Sequence, residues 1–117
     1  GGIQRIGFGN GAAVTSVASV STIQGNVWQF VAGRFRPGAF VDVFLNTSIG
    51  TLELTSAATA LANIVNSASP LRIGSFSNVP AQDFFNGYLS LIFISASALT
   101  DTQIYSLFHQ SRPLFGR

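Results

Sequence analysis

The chain has 117 residues, of which 47% are hydrophobic, eleven are Phe and only 9% are charged, against about 25% charged in an average soluble domain. Its cations are six Arg scattered along the chain against four carboxylates, so the net charge of +2 supplies no basic groove and argues against nucleic acid as a partner. No apolar run approaches the roughly 20 residues a membrane helix needs, and without Cys there is neither a disulfide framework nor a thiolate metal site.

This length predicts one domain, residues 1–117, able to bury roughly two thirds of the surface its unfolded chain would expose. The chain opens on Gly-Gly and contains no Met, which predicts a processed chain or one module of a longer polypeptide.

In chain order, Gln4-Arg5-Ile6-Gly7-Phe8 reads as a short strand within a Gly-rich segment. Residues 12–23 carry Val14, Val17, Val20 and Ile23 in a Ser/Thr/Ala background, where β-branched residues favour a strand over a helix. Residues 26–46 predict a β-hairpin: two runs rich in Val and Phe flank Arg36-Pro37-Gly38-Ala39. Pro37 pre-sets φ, and Gly38 supplies the positive φ of a type II turn. Trp28, Phe30, Ala32 and Arg34 share one face of the first arm, while Val41, Val43 and Leu45 lie together on the second, opposite Phe40, Asp42 and Phe44. Both faces are apolar, as expected of an interior pair of strands.

Thr51-Leu52-Glu53-Leu54-Thr55 alternates strictly and predicts a half-buried strand with Leu52 and Leu54 inward. Residues 56–69 are rich in Ala, Ser and Asn and leave loop and helical turn open. Residues 70–74 read as a strand entered through Pro70, residues 75–82 as a polar loop, and residues 88–95, apolar on both faces, as a central buried strand. Residues 99–110 predict the only helix. Thr100 is placed to cap it, Gln103 to complete a capping box, and Leu99 with Ile104 to form a hydrophobic staple. Ile104, Leu107 and Phe108 form its inward stripe, and Pro113 forbids its continuation. Many short strands, turns at roughly ten-residue spacing and one late helix predict an all-β antiparallel sandwich.

Five pieces, in order, carry a resemblance: Trp28-Gln29-Phe30-Val31-Ala32-Gly33, Val41-Asp42-Val43-Phe44-Leu45-Asn46, Pro70-Leu71-Arg72-Ile73-Gly74, Phe85-Asn86-Gly87-Tyr88-Leu89, and the helix with its cap. The chain resembles the laminin G-like, concanavalin A-like jelly-roll domains of bacterial surface and phage virion proteins. It departs from them at Asn46-Thr47, where the family has Asn-Gly, and at Ser90-Leu91-Ile92, where an Asp is common. Members also carry more strands ahead of the Trp strand, so either a preceding piece or another chain is expected to complete the sandwich. The resemblance implies a jelly-roll sandwich in an extracellular, cell-surface or virion setting.

Catalytic chemistry is poorly supplied. Glycoside hydrolysis needs two carboxylates about 5 to 10 Å apart, and the clustered acidic motif of this fold's glucanases is absent: Glu53 is the only Glu, and Asp42, Asp83 and Asp101 are far apart in sequence. His109 lies in the last helical turn, where an imidazole complements the helix dipole. No enzyme is expected. For ligand binding, Trp28 and Tyr88 are candidates to stack on a sugar ring, with Arg34 and Arg36 beside the turn to hydrogen-bond hydroxyls or carboxylates. For Trp28, the competing reading is plain core packing. Calcium-binding members of the fold use Asp or Asn oxygens at the sandwich rim, which implies Asp42, Asn46, Asp83 and Asn86 as candidate ligands of Ca2+. Turn chemistry is the alternative for each of the four. The expected function is a non-catalytic module recognising glycan or protein through rim loops. The alternative is a structural domain that packs against other copies or neighbours in a virion.

Overall fold

The computed structural model describes residues 2–65, 68, 71, 73–74 and 84–117. They fall into two units, Gly1–Val65 with Ala96–Arg117, and Asn66–Ser95. In the first unit β1 (Ile3–Gly9) and β2 (Val14–Thr22) form one antiparallel sheet, while β3 (Val31–Arg36), β4 (Phe40–Ser48) and β5 (Thr51–Ala58) form another. Helix α1 (Asp101–Ser111) follows and ends in a 3-10 turn, Arg112–Phe115. The fold is the expected antiparallel β-sandwich with one short helix near its end.

β4 is the strand around which the layers assemble. On one face Val41 and Val43 meet Val17 of β2, with Ile6, Phe8, Phe35 and Ala57 closing the space between the sheets. On the other face Phe44 and Leu52 meet Ile104 and Phe108 of α1, with Phe30, Ala32, Leu99 and Tyr105 around them. Both faces of β4 are therefore covered, which is why its sequence is apolar on both; Phe44 and Phe108 are 0% and 1% exposed. Fully burying a side chain of this kind stabilises by about 1.5–3 kcal/mol.

Local chemistry fixes the elements as read. The β3–β4 turn forms with Gly38 at φ 63° and the Arg36 carbonyl accepting from Ala39 N–H at 3.1 Å. Thr100 caps α1 in a complete capping box with Gln103. Leu54 shares the face of Leu52 but stays 37% exposed. In β2 the period of two turns Val17 inward and Val14 and Val20 outward, since residues three apart along a strand lie on opposite faces.

The two sheets are also tied along one side. Glu53 of β5 accepts from the Val20 and Ser21 N–H groups of β2 at 2.9 and 3.2 Å, and Thr15 and Thr59 hydroxyls meet at 2.8 Å. A carboxylate thus occupies backbone donors that an edge strand would otherwise expose. Elsewhere the sheets approach closely: a Cβ on Gly33 would lie 2.7 Å from Ile6 Cγ2.

In the second unit, Phe85 N–H donates to the Gly74 carbonyl at 2.8 Å, and Gly74 takes a positive φ of 82°. Two expectations need correction here. Residues 88–95 form no strand, and Leu89, Leu91, Ile92, Phe93 and Ile94 are exposed, with Leu91 at φ 52°. The described part of residues 70–74 is likewise not a strand; Pro70 and Arg72 lie outside the described residues, as does the expected polar loop, apart from the described residues flanking it. The apolar pattern reported a demand for burial, but a strand also needs a ladder partner, and none pairs with these residues among those described.

Gly33→Ala is expected to destabilise the protein by about 1–3 kcal/mol through this overpacking, and Ile6→Ala, which removes the Cγ2 that the new methyl would meet, to be non-additive with it, the double variant losing less than the sum of the two. Urea midpoints of the two single variants and the double variant check it; additive losses would show that Ile6 is not the obstacle.

Candidate functional site

The charged residues of the hairpin converge at its turn end. Asp42, 0% exposed, lies opposite Arg34 in the β3–β4 register. Its Oδ2 accepts from Arg34 Nε at 2.7 Å and Arg36 Nε at 2.8 Å, and its Oδ1 from Arg36 Nη2 at 3.0 Å and the Ser56 hydroxyl at 2.5 Å. Arg34 Nη1 reaches on to the Leu99 carbonyl at 2.9 Å and to Asp101 at 2.6 Å, so one guanidinium ties β4 to the start of α1. Phe44 and Phe40 lie beneath the Arg34 and Arg36 guanidinium groups at 5.2 and 4.8 Å. Burial alone would raise the Asp42 carboxyl, but hydrogen bonds from Arg36, Ser56 and Arg34, with the Arg34 charge, hold it below the ordinary carboxylate range. The hydrogen bond to Asp42 in turn raises Arg36.

At the opposite end of the hairpin the sequence brings different residues together. Asn46, 0% exposed, donates from Nδ2 to the Ser48 and Thr51 carbonyls at 2.6 and 2.8 Å, bracing the β4–β5 turn, while its Oδ1 accepts from Arg117 Nε at 2.8 Å. Arg117 also reaches Gln24 Oε1 at 3.3 Å, and its main-chain oxygen accepts from Arg112 Nη1 at 3.2 Å. Gln29 bridges Gln24 N–H and the Asn46 carbonyl, both at 2.7 Å. Trp28 stacks on Phe115 with centroids 4.9 Å apart and remains 41% exposed. At this end Trp28 packs on Phe115, which lies in the 3-10 turn between Arg112 and Arg117 in sequence.

The expected site residues are thus divided. Trp28 lies at this rim, whereas Arg34 and Arg36 lie at the far end of β3, a six-residue strand of roughly 20 Å. Arg34 is buried and fully engaged, and Arg36 is half-exposed but holds Asp42. Of the four candidate calcium ligands, Asp42 and Asn46 sit at opposite ends of β4 with their oxygens already accepting from arginines. Asn86 belongs to the second unit, as does Tyr88, which is 86% exposed. Asp83 lies outside the described residues. Among the described residues no three His, Cys, Asp or Glu side chains gather as a metal site. Sequence reasoning missed Arg112 and Arg117, because they fall beyond the helix stop, where no periodicity marks a partner. Their one signal was that they are cations with no acid nearby in sequence.

The chain matches, over residues 2–105, the family described as the concanavalin A-like lectin/glucanases superfamily, in its laminin G-like form. That span covers most of the chain, and the protein belongs to this family. Comparison with curated proteins and with solved structures found no match.

Replacing Asp42 by Asn leaves two guanidinium groups facing a neutral amide, and a loss of about 3–5 kcal/mol is expected, as when one partner of a buried pair is removed. Glu53 is also held below its ordinary value: burial raises it, and hydrogen bonds from Ser21, Val20 and Thr55 outweigh that. Because both folded-state carboxyls are depressed, the unfolded chain binds protons first as pH falls. Their stabilisation is complete above the ordinary values of 3.8 and 4.5 and disappears as pH drops through the folded ones. Urea midpoints are therefore expected to fall steeply below about pH 4, less so in Asp42→Asn. An equal slope in the variant would remove Asp42 from this account.

Proposed function

We propose that the protein is a non-catalytic binding module of a cell-surface or virion protein, recognising glycan through one rim of its sandwich. The supporting observation is the half-exposed Trp28 packed on Phe115, in a terminal turn whose Arg117 bonds Gln24 and the same Asn46 that Gln29 reaches. An aromatic plane with amide and guanidinium donors at the same end of the hairpin suits a sugar, whose C–H face stacks on the ring while its hydroxyls take the donors. Among the described residues the carboxylates that catalysis would require are otherwise engaged: Asp42 with two arginines, Glu53 with β2, and Asp101 with Arg34.

A second reading, packing against further copies or virion neighbours, draws on a separate observation. Tyr88, Phe84, Phe93 and Ile94 are exposed by 86, 70, 61 and 65%. Surfaces of this kind are typical of contact sites.

A glycan array with purified protein, in calcium and again in chelator, tests the first reading. Binding is expected in both conditions, because the Asp42 and Asn46 oxygens are already occupied by arginines. Binding is also expected to fall at least about tenfold in Trp28→Ala, the loss of one stacking contact worth about 1.4 kcal/mol. A blank array from a sample whose measured mass is a stable oligomer would favour the second reading instead.

A further inference from the structure

Asn-Gly occurs twice in the chain, at Asn10-Gly11 and at Asn86-Gly87. In that dipeptide the backbone nitrogen after the carboxamide belongs to a residue with no side chain, so it can approach the Asn Cγ closely. Whether it attacks depends on how firmly the carboxamide is held, and the two pairs differ in this.

Asn10 opens the turn between β1 and β2 and is half-buried. Its Oδ1 accepts from Ala12 N–H at 3.0 Å and from Ala13 N–H at 2.9 Å, while its own N–H donates to the Ala13 carbonyl at 3.1 Å. Attack at Cγ would swing Oδ1 away and break both side-chain bonds inside a closed turn.

Asn86 lies in an irregular, exposed stretch. Among the described residues its carboxamide has no hydrogen-bond partner, and neither has the Gly87 N–H. The neighbouring Phe85 is fixed by its N–H bond to the Gly74 carbonyl at 2.8 Å, and its ring lies against Gly87, where a Cβ would come within 2.9 Å of Phe85 Cε1. Glycine suits this packing, and the carboxamide before it can rotate toward the nitrogen into the geometry of attack.

We propose that Asn86 is a site of covalent self-modification, converting in water to aspartate and isoaspartate while Asn10 persists. The Gly87 nitrogen gives up its proton to water and attacks Asn86 Cγ. An N–Cγ bond forms, the Cγ–Nδ2 bond breaks, and Nδ2 takes up a proton and leaves as ammonia. Water then opens the cyclic imide at either carbonyl. Water is consumed, ammonia is released, and nothing is oxidised or reduced. Both products place a carboxylate between Phe84 and Tyr88, which are 70 and 86% exposed, in a chain of net charge +2. A charge there makes the surrounding apolar surface costlier to bury. The proposal goes beyond both readings above and depends on neither.

The experiment holds the full chain in neutral buffer at body temperature for several weeks, with samples taken for cation-exchange chromatography and for peptide mass mapping that separates aspartate from isoaspartate. A less cationic species is expected to accumulate, its amide-to-acid mass gain falling on the peptide that holds Asn86. Asn10 should react about tenfold or more slowly, because two hydrogen bonds must break first. Asn86→Gln, a change at an exposed side chain, should abolish the species, and Asn10→Gln should leave it unchanged. In guanidinium chloride the two sites should react at similar rates, since only the fold distinguishes them. An intact Asn86, or equal rates at Asn10 and Asn86 in the folded chain, would overturn the proposal.

Discussion

Asp42 is the constraint on which the first unit depends. A carboxylate with no solvent exposure is tolerable only if its oxygens are occupied, and here four donors from Arg34, Arg36 and Ser56 occupy them. Those donors come from the two strands that flank β4, so the charge cluster pins β3 and β5 to β4 at fixed register. Through Arg34 it also reaches Leu99 and Asp101 and sets where α1 begins. Apolar packing of Phe44, Ile104 and Phe108 supplies most of the stabilisation, being non-directional, while the ionic cluster selects one arrangement among those that packing alone would allow.

The scarcity of charge gives this arrangement its functional meaning. With four carboxylate side chains in the sequence and three of them engaged at Arg34, Arg36 and the β2 edge, Arg117 is held by the neutral side-chain oxygens of Asn46 and Gln24. The two ends of the same hairpin therefore differ in kind. One is an ion cluster built on the buried Asp42; the other carries the half-exposed Trp28 packed on Phe115.

Much of the sandwich was legible in the sequence because local and global signals agreed. Pro37-Gly38 could make only a tight turn, Thr100 with Gln103 could only start a helix, and the two-faced apolar pattern of β4 could be satisfied only by cover on both sides. Residues 88–95 carried the same two-faced pattern as β4 and yet form no strand, since pattern encodes burial and not the presence of a pairing partner. The site was legible only at Trp28. Arg34 and Arg36 drew attention by their place beside a turn, but period two put both on the face of Asp42, and a buried acid claims the nearest cations before any ligand does. Phe115 reaches Trp28 and Arg117 reaches Asn46 only because the chain after α1 returns to the sheet, a long-range consequence that no local spacing records.

The proposed division of the hairpin into a structural end and a binding end is tested most directly by hydrogen–deuterium exchange of the whole chain with and without a glycan that it binds on the array. The account predicts added protection in residues 24–30 and 112–117, with residues 34–42 and 99–103 unchanged. Protection confined to the Arg34–Asp42 end would contradict it and would mean that the ion cluster opens to receive the ligand.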